Sequence, residues 1–240
     1  MDVSAATGDT LDRIDVLKAL DQGERTELAK QCGWRRYGAG EQIIARSSTA
    51  RDAIFVVTGS VAIVNHAPNG REIAYATVRE GGYFGELAAI DGEPRSATAV
   101  ALEKCLVATM SPQVFRRLLL AHPEITIQIV ERLARIIRTC DDRIMDLSTL
   151  SAVQRVCREV LRLSTPDPLN AGSWMIYPVP TQAQIAARAS TTRETVARVL
   201  GQLGQDELVH RKGKTLYLRN KQALELLTEQ LNSGSQGDAR

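Results

Sequence analysis

The chain has 240 residues, 44% hydrophobic and 24% charged, with a formal net charge of +2. This is a globular composition with room for one large or two ordinary domains, and no apolar run approaches the roughly 20 residues that span a bilayer. Met1–Thr10 is small and polar with Asp2 and Asp9, which reads as a short disordered arm and not as a secretory leader.

Leu11–Cys32, with Ile14 and several leucines at helical spacing, is expected to be helical. From Trp34 to about Met110 short β-rich runs follow: Glu41–Ala45, Asp52–Thr58, Ser60–Asn65, Arg71–Val78, Ala97–Leu102 and Lys104–Met110. Gly40, Gly59, Pro68–Asn69–Gly70 and Gly81–Gly82 punctuate them. Many short strands at that spacing predict a sandwich or barrel. Aromatic residues are only 4% of the chain, so Val, Ile, Leu and Ala must fill its core.

Within this module, Phe84–Ala99 carries the chemistry. Gly85 permits a close backbone approach, and the residues after it suit a short helix whose N–H groups face an anion. Arg95 offers charge-assisted bonds to a phosphate, and Glu86 is an acceptor suited to a ribose hydroxyl. By themselves, a Glu and an Arg nine residues apart are equally a surface ion pair. The whole string, however, resembles the phosphate-binding cassette of cyclic-nucleotide-binding domains. The resemblance implies that Gly85, Glu86, Leu87 and Ala88 line the ribose and phosphate, and that Arg95 and Ser96 hold the phosphate.

After Ser111–Pro112 the pattern turns helical, and no Pro or Gly interrupts Ile125–Thr149. Val130, Ile137 and Ile144 alternate with Leu133, Cys140 and Leu147 as the a and d positions of three heptads. This predicts the seam of a two-stranded coiled coil, hence a homodimer; a helix packed on its own domain is the alternative. A second helix, Ser151–Leu163, ends at Thr165–Pro166–Asp167–Pro168, which reads as a loop. The tail Asn232–Arg240 reads as disordered.

Residues 175–221 hold eight Lys and Arg against Glu194, Asp206 and Glu207, about +5 net. Thr181 with Gln184, and Thr191 with Glu194, predict capping boxes that start two helices about ten residues apart. Val196, Val199, Leu200 and Leu203 share one face of the second, leaving Arg193, Glu194 and Arg198 on others. Arg can bond guanine O6 and N7, and Glu can accept from cytosine N4. Thr192 and Thr195 suit phosphate oxygens. Leu208–Leu218 reads as a hairpin with a basic tip, Arg211-Lys212-Gly213-Lys214, suited to backbone phosphate.

Thr192–Leu200, preceded by Gln182–Ala186, closely resembles the DNA-binding motif of the cyclic-AMP receptor protein/FNR family of bacterial transcription regulators. By that resemblance Arg193, Glu194 and Arg198 read bases, with Thr181, Thr192, Thr195 and Lys212 as further DNA-contacting positions. The implied fold is α+β: a β-roll (jelly-roll-like) nucleotide-binding domain over 11–124, a dimerisation helix over 125–150 and a winged helix-turn-helix over 151–223. Cyclic AMP is the implied ligand, with cyclic GMP plausible; double-stranded DNA, a second copy and RNA polymerase are the implied partners, in the cytoplasm. Members specific for cyclic AMP place a Thr–Ser pair on the dimer helix against adenine. Counting back from Arg155 puts Cys140 and Asp141 there. Cys is a weak hydrogen-bonding group and ionised Asp only accepts, so purine choice stays open, as does a solvent-facing Asp141.

Two other readings compete. The same fold can sense haem, redox state or a metabolite, although Cys32, Cys105, Cys140 and Cys157 form no cluster and His66, His122 and His210 stand apart. An enzyme or kinase-regulatory subunit can also carry such a barrel, but no nucleophile–base pair, P-loop or metal motif is present, so no catalysis is expected.

Overall fold

The structure, a computed structural model, describes residues 8–67 and 72–230. The arm at 1–7, the turn at Pro68–Asn69–Gly70 with Arg71, and the tail Asn232–Arg240 lie outside the described residues. The backbone forms two compact units, Met1–Ile137 and Arg138–Arg240, which are taken separately.

The segment expected to be helical is broken into pieces. Gly8–Arg13 and Asp15–Leu17 are 3-10 turns, and only then comes α1 (Gln22–Lys30). The physical reason is in the spacing: Leu11, Ile14, Leu17 and Leu20 recur every three residues, the period of a 3-10 helix, and all are buried. Asp21 then restarts the chain, its carboxylate accepting from the Glu24 N–H while the Glu24 carboxylate accepts from the Asp21 N–H.

Eight strands follow: β1 (Gly33–Tyr37), β2 (Gln42–Ile44), β3 (Ala53–Thr58), β4 (Ser60–His66), β5 (Glu72–Arg79), β6 (Tyr83–Phe84), β7 (Thr98–Ala101) and β8 (Cys105–Met110). They form two four-stranded antiparallel sheets, ordered β1-β8-β3-β6 and β2-β7-β4-β5. The expected runs supply six of these strands. β1 and β6 escape notice because only Trp34 is buried in β1 and β6 has two residues. Strand β3 joins two cores, since successive side chains point to opposite faces. Its Ile54 and Val56 pack with Val61, Val78, Phe84, Ala99 and Val107 from both sheets. Its Ala53, Phe55 and Val57 pack with Leu11, Ile14, Phe115 and Ile125 from the helical segments. Between β6 and β7 lies the short α2 (Glu86–Asp91), and α3 (Pro112–Ala121) leads into the 27-residue α4 (Pro123–Thr149).

In the second unit, α5 (Ala152–Leu163) begins in a Ser151–Gln154 capping box. Strands β9 (Thr165–Pro166) and β10 (Trp174–Ile176) follow, then α6 (Gln182–Arg188), α7 (Arg193–Gln205), β11 (Val209–Lys212), β12 (Thr215–Leu218) and α8 (Lys221–Gln230). Thr165–Pro166, read as loop from sequence, is an edge strand of the sheet β11-β12-β10-β9. Val156, Val160, Ile185, Val196, Val199, Leu203 and Leu218 share one core. The fold is thus α+β, a β-sheet domain with a long helix and a helix-turn-helix head.

Candidate functional site

Arg95 organises the first candidate site. It is 5% exposed, and its two terminal nitrogens donate to the main-chain oxygens of Gly85 (2.9 Å) and Asp52 (2.7 Å). Its Nε is buried without a hydrogen-bond partner, and no carboxylate lies within ion-pair distance of it among the described residues. Burial lowers its pKa from the ordinary arginine value, and the charges of Asp52 and Glu86 oppose that shift. A buried guanidinium whose only fixed partners are carbonyl dipoles is a costly arrangement that an anion relieves.

Gly85 is a requirement of the same cradle. Its φ is +78°, and a Cβ there would collide with Arg95 Nη1. Glu86 and Ala88 are buried in α2, whereas Leu87 and Ser96 are exposed. The main-chain oxygen of Ser96 accepts from Asn65 Nδ2 (3.1 Å). The structure therefore gathers Gly85, Glu86 and Arg95, with Ser96 adjoining. It adds Asp52 and Asn65, which the sequence reading missed. Asp52 acts through its main-chain oxygen, which any residue supplies; Asn65 carried a signal, a polar side chain buried in a strand.

The second site lies on α6 and α7. Thr181 caps α6 as expected, its Oγ1 accepting from the Gln184 N–H (3.2 Å). The expected box at Thr191 is not formed. Thr191 is buried with its N–H on Ala186 O, and Thr192 is the cap, its Oγ1 accepting from the Thr195 N–H (3.3 Å). Val196, Val199 and Leu203 face the core, which turns Arg193, Glu194 and Arg198 to solvent. Among the described residues neither arginine makes an ion pair. The Glu194 backbone N–H and the Thr192 hydroxyl hold the Glu194 carboxyl below its usual pKa, which keeps it an acceptor. Lys212 is exposed at the end of β11, beside a hairpin tip at Gly213 with φ +59°.

Behind this surface sit charges no motif announced. Arg155 donates to the oxygens of Leu150 (2.7 Å), Ala189 (3.0 Å) and Ser190 (3.2 Å), and Ser190 has a left-handed φ of +50°. Glu159, 3% exposed, lies 3.7 Å from Arg188. Burial raises its pKa, and Arg188, Arg143 and Arg162 act against the rise. Cys140 and Asp141 are exposed on α4 and fall in the second unit, whereas the Arg95 cradle is built within the first.

Comparison with known proteins identifies a domain around each site. Residues 34–122 match the cyclic nucleotide-binding domain, and residues 154–227 match the Crp-like helix-turn-helix domain. The chain is 33% identical over 205 residues to the cAMP-activated global transcriptional regulator Vfr of Pseudomonas aeruginosa, covering 83% of this chain and 93% of Vfr. The chain belongs to the cyclic-AMP receptor protein/FNR family. It is 28% identical to the regulator CRP of Salmonella typhimurium over 187 residues, 77% of this chain and 89% of that protein. A CRP-family transcriptional regulator from Thermus thermophilus superposes with a TM-score of 0.62 at 27% identity, covering 81% of this chain and 96% of the other. As a family member, this chain is a cyclic-nucleotide-responsive, DNA-binding transcription regulator. No helix among the described residues is long and apolar enough to cross a membrane, and no group of three His, Cys, Asp or Glu there could hold a metal ion.

Proposed function

We propose that cyclic AMP is the switching ligand, held by its phosphate on Arg95, and that the liganded homodimer binds a pseudo-palindromic operator. The observation that carries this reading is the buried Arg95 guanidinium without an ion-pair partner. In this reading Gly85, Glu86, Leu87 and Ala88 line the ribose and phosphate and Ser96 supplements Arg95. Cyclic GMP competes for the same phosphate contacts. Calorimetric titration of both nucleotides into the protein tests the reading; absence of heat and of protection by either one overturns it.

The dimer is proposed through α4. Val130, Ile137, Ile144 and Leu147 each leave more than half of their surface uncovered in the single chain, an apolar stripe that suits a second copy. A monomer in sedimentation would remove this part. Arg193, Glu194 and Arg198 are proposed to read base edges, with Thr181, Thr192, Thr195 and Lys212 along the phosphates. A two-fold dimer presents two such helices, so half-sites lie one DNA turn apart. Ligand drives the switch only if the DNA-competent state binds it more tightly. The protein carries out no reaction, acts in the cytoplasm and engages RNA polymerase at its promoters.

A further inference from the structure

Arg95 is held by two main-chain oxygens that bracket one pair of strands: Gly85 is the residue after β6, and Asp52 is the residue before β3. Those strands pair Tyr83 with Phe55 and Phe84 with Ile54, and the Tyr83 and Phe55 rings lie 6.1 Å apart between centres. Tyr83 is 5% exposed. Its ring is covered by a side chain of α4, since the Arg132 guanidinium carbon stands 3.9 Å from the ring centre. A cation over an aromatic face is attracted by the ring quadrupole, the more so once both are out of water. Burial raises the phenol's pKa, Arg132 opposes the rise, and the Glu86 charge adds to it, so cradle and helix act on one group. Position along α4 gives this contact its weight. Ile125 and Ile129 are buried in the first unit's core, Leu133 packs against it, and residues 134–142 are all exposed in the single chain. Arg132 thus holds the sheet in the last turn of α4 that the sheet covers.

We infer that Tyr83 and Arg132 form a clasp that couples the Arg95 cradle to α4: the ring follows the setting of β3 and β6, and the guanidinium holds the last covered turn of α4 to them. The inference rests on the proposed cyclic nucleotide reading and adds to it the positioning pair by which the ligand is felt outside the cradle. An anion drawn to Arg95 shares that guanidinium with the Gly85 and Asp52 oxygens, so its arrival bears on the two strands that carry the rings. Neither member of the clasp belongs to the cradle. The pair therefore contributes to coupling and not to nucleotide affinity itself. Coupling is a free energy between two binding events and is read as a ratio of affinities.

The test measures three affinities: that of the protein for cyclic AMP without DNA, by calorimetry, and that for a fluorescent duplex with and without saturating cyclic AMP, by anisotropy. The duplex is one that the wild type selects from a random-sequence pool in the presence of cyclic AMP. Arg132→Gln removes the cation and keeps a hydrogen-bonding side chain. It should leave cyclic AMP affinity within about threefold and cut the ligand's gain in duplex affinity about fivefold or more. Arg132→Lys keeps a cation for the ring and should restore most of that gain, which a merely space-filling role would not require. Tyr83→Phe keeps the aromatic face and should stay within about threefold of wild type in all three affinities; Tyr83→Leu removes the face and should match Arg132→Gln. An undiminished gain in Arg132→Gln overturns the clasp. So does a loss of cyclic AMP affinity as large as the loss of gain, which would put Arg132 in the nucleotide site. A wild type that binds no cyclic AMP, or binds it without any gain in duplex affinity, fails the nucleotide reading and takes the clasp with it, a result seen before any variant is made.

Discussion

Arg95 in the β-sheet unit and Glu159 in the DNA-binding head are both buried charges, yet their surroundings are opposite. Glu159 sits among Arg188, Arg143 and Arg162, so its charge is partly answered from within the fold, although burial outweighs them. Arg95 has two carbonyl oxygens and no ion-pair partner among the described residues. Burial disfavours the charged form of both. What differs is where the counter-charge comes from, and that difference separates a structural ion cluster from a binding site. An internally answered charge gains little from a ligand. One met only at a distance, by the charges of Asp52 and Glu86, keeps part of its desolvation cost until an anion arrives.

The comparison breaks most directly at Arg95. Arg95→Gln should lower cyclic AMP affinity by about 2–5 kcal/mol, the usual cost of truncating one member of a buried charged pair, and should abolish nucleotide-dependent retardation of operator DNA. An amide can still reach a carbonyl, so circular dichroism should show the wild-type fold. Undiminished affinity in calorimetry would place the anion elsewhere.

An exposed cation offers the next contrast. Arg198→Ala should weaken operator binding by about 1–3 kcal/mol and relax selection at one guanine, while calorimetry shows cyclic AMP affinity without DNA unchanged. A footprint with wild-type base selection would remove Arg198 from the reading surface. Gly85→Ala probes the cradle without touching the charge. The added Cβ meets Arg95 Nη1 and the left-handed backbone, a strain of about 1–2 kcal/mol. Thermal unfolding and cyclic AMP affinity should both fall, whereas unaltered titrations would mean that the cradle relaxes freely.

Glu159 gives the smallest effect and the sharpest sign. Its carboxyl is raised above the usual value by burial, so folding favours its protonated form. That contribution is present at acid pH and lost as pH rises through the raised pKa. The melting temperature of wild type should therefore gain on that of Glu159→Gln as pH falls from neutral toward the ordinary carboxylate range. A difference that stays flat, or shrinks, would show Glu159 to be an ordinary ion-pair acid.

Much of this arrangement was legible in the sequence, because the cassette and α7 are contiguous and each needs unusual residue types in fixed order. Gly85 and Arg95 stand ten residues apart and meet because one short helix folds the chain between them. The slip in pairing at Tyr75 was not legible: Ile63 faces Ala76 and Val64 faces Ala74, and no pattern in β4 or β5 marks where it falls. Two adjacent threonines left the start of α7 ambiguous by one residue, since Thr191 precedes Glu194 at the same spacing as Thr192 precedes Thr195. The breaks in the first helical segment were missed for a different reason. Leucines spaced by three satisfy an α-helical template loosely and a 3-10 one fully.

The Arg155 guanidinium joins the end of α4, at Leu150, to Ala189 and Ser190 in the turn that precedes α7. One planar group holding three carbonyl oxygens works as a gusset plate across a corner. The Leu150–Ser151 junction between two helices is tied a second time by Asp146 of α4, whose carboxylate lies 2.8 Å from Arg162 of α5. Through Arg155 the end of α4 and the turn before α7 are bound into one body at a single side chain, and its removal would leave three carbonyl oxygens to find other donors.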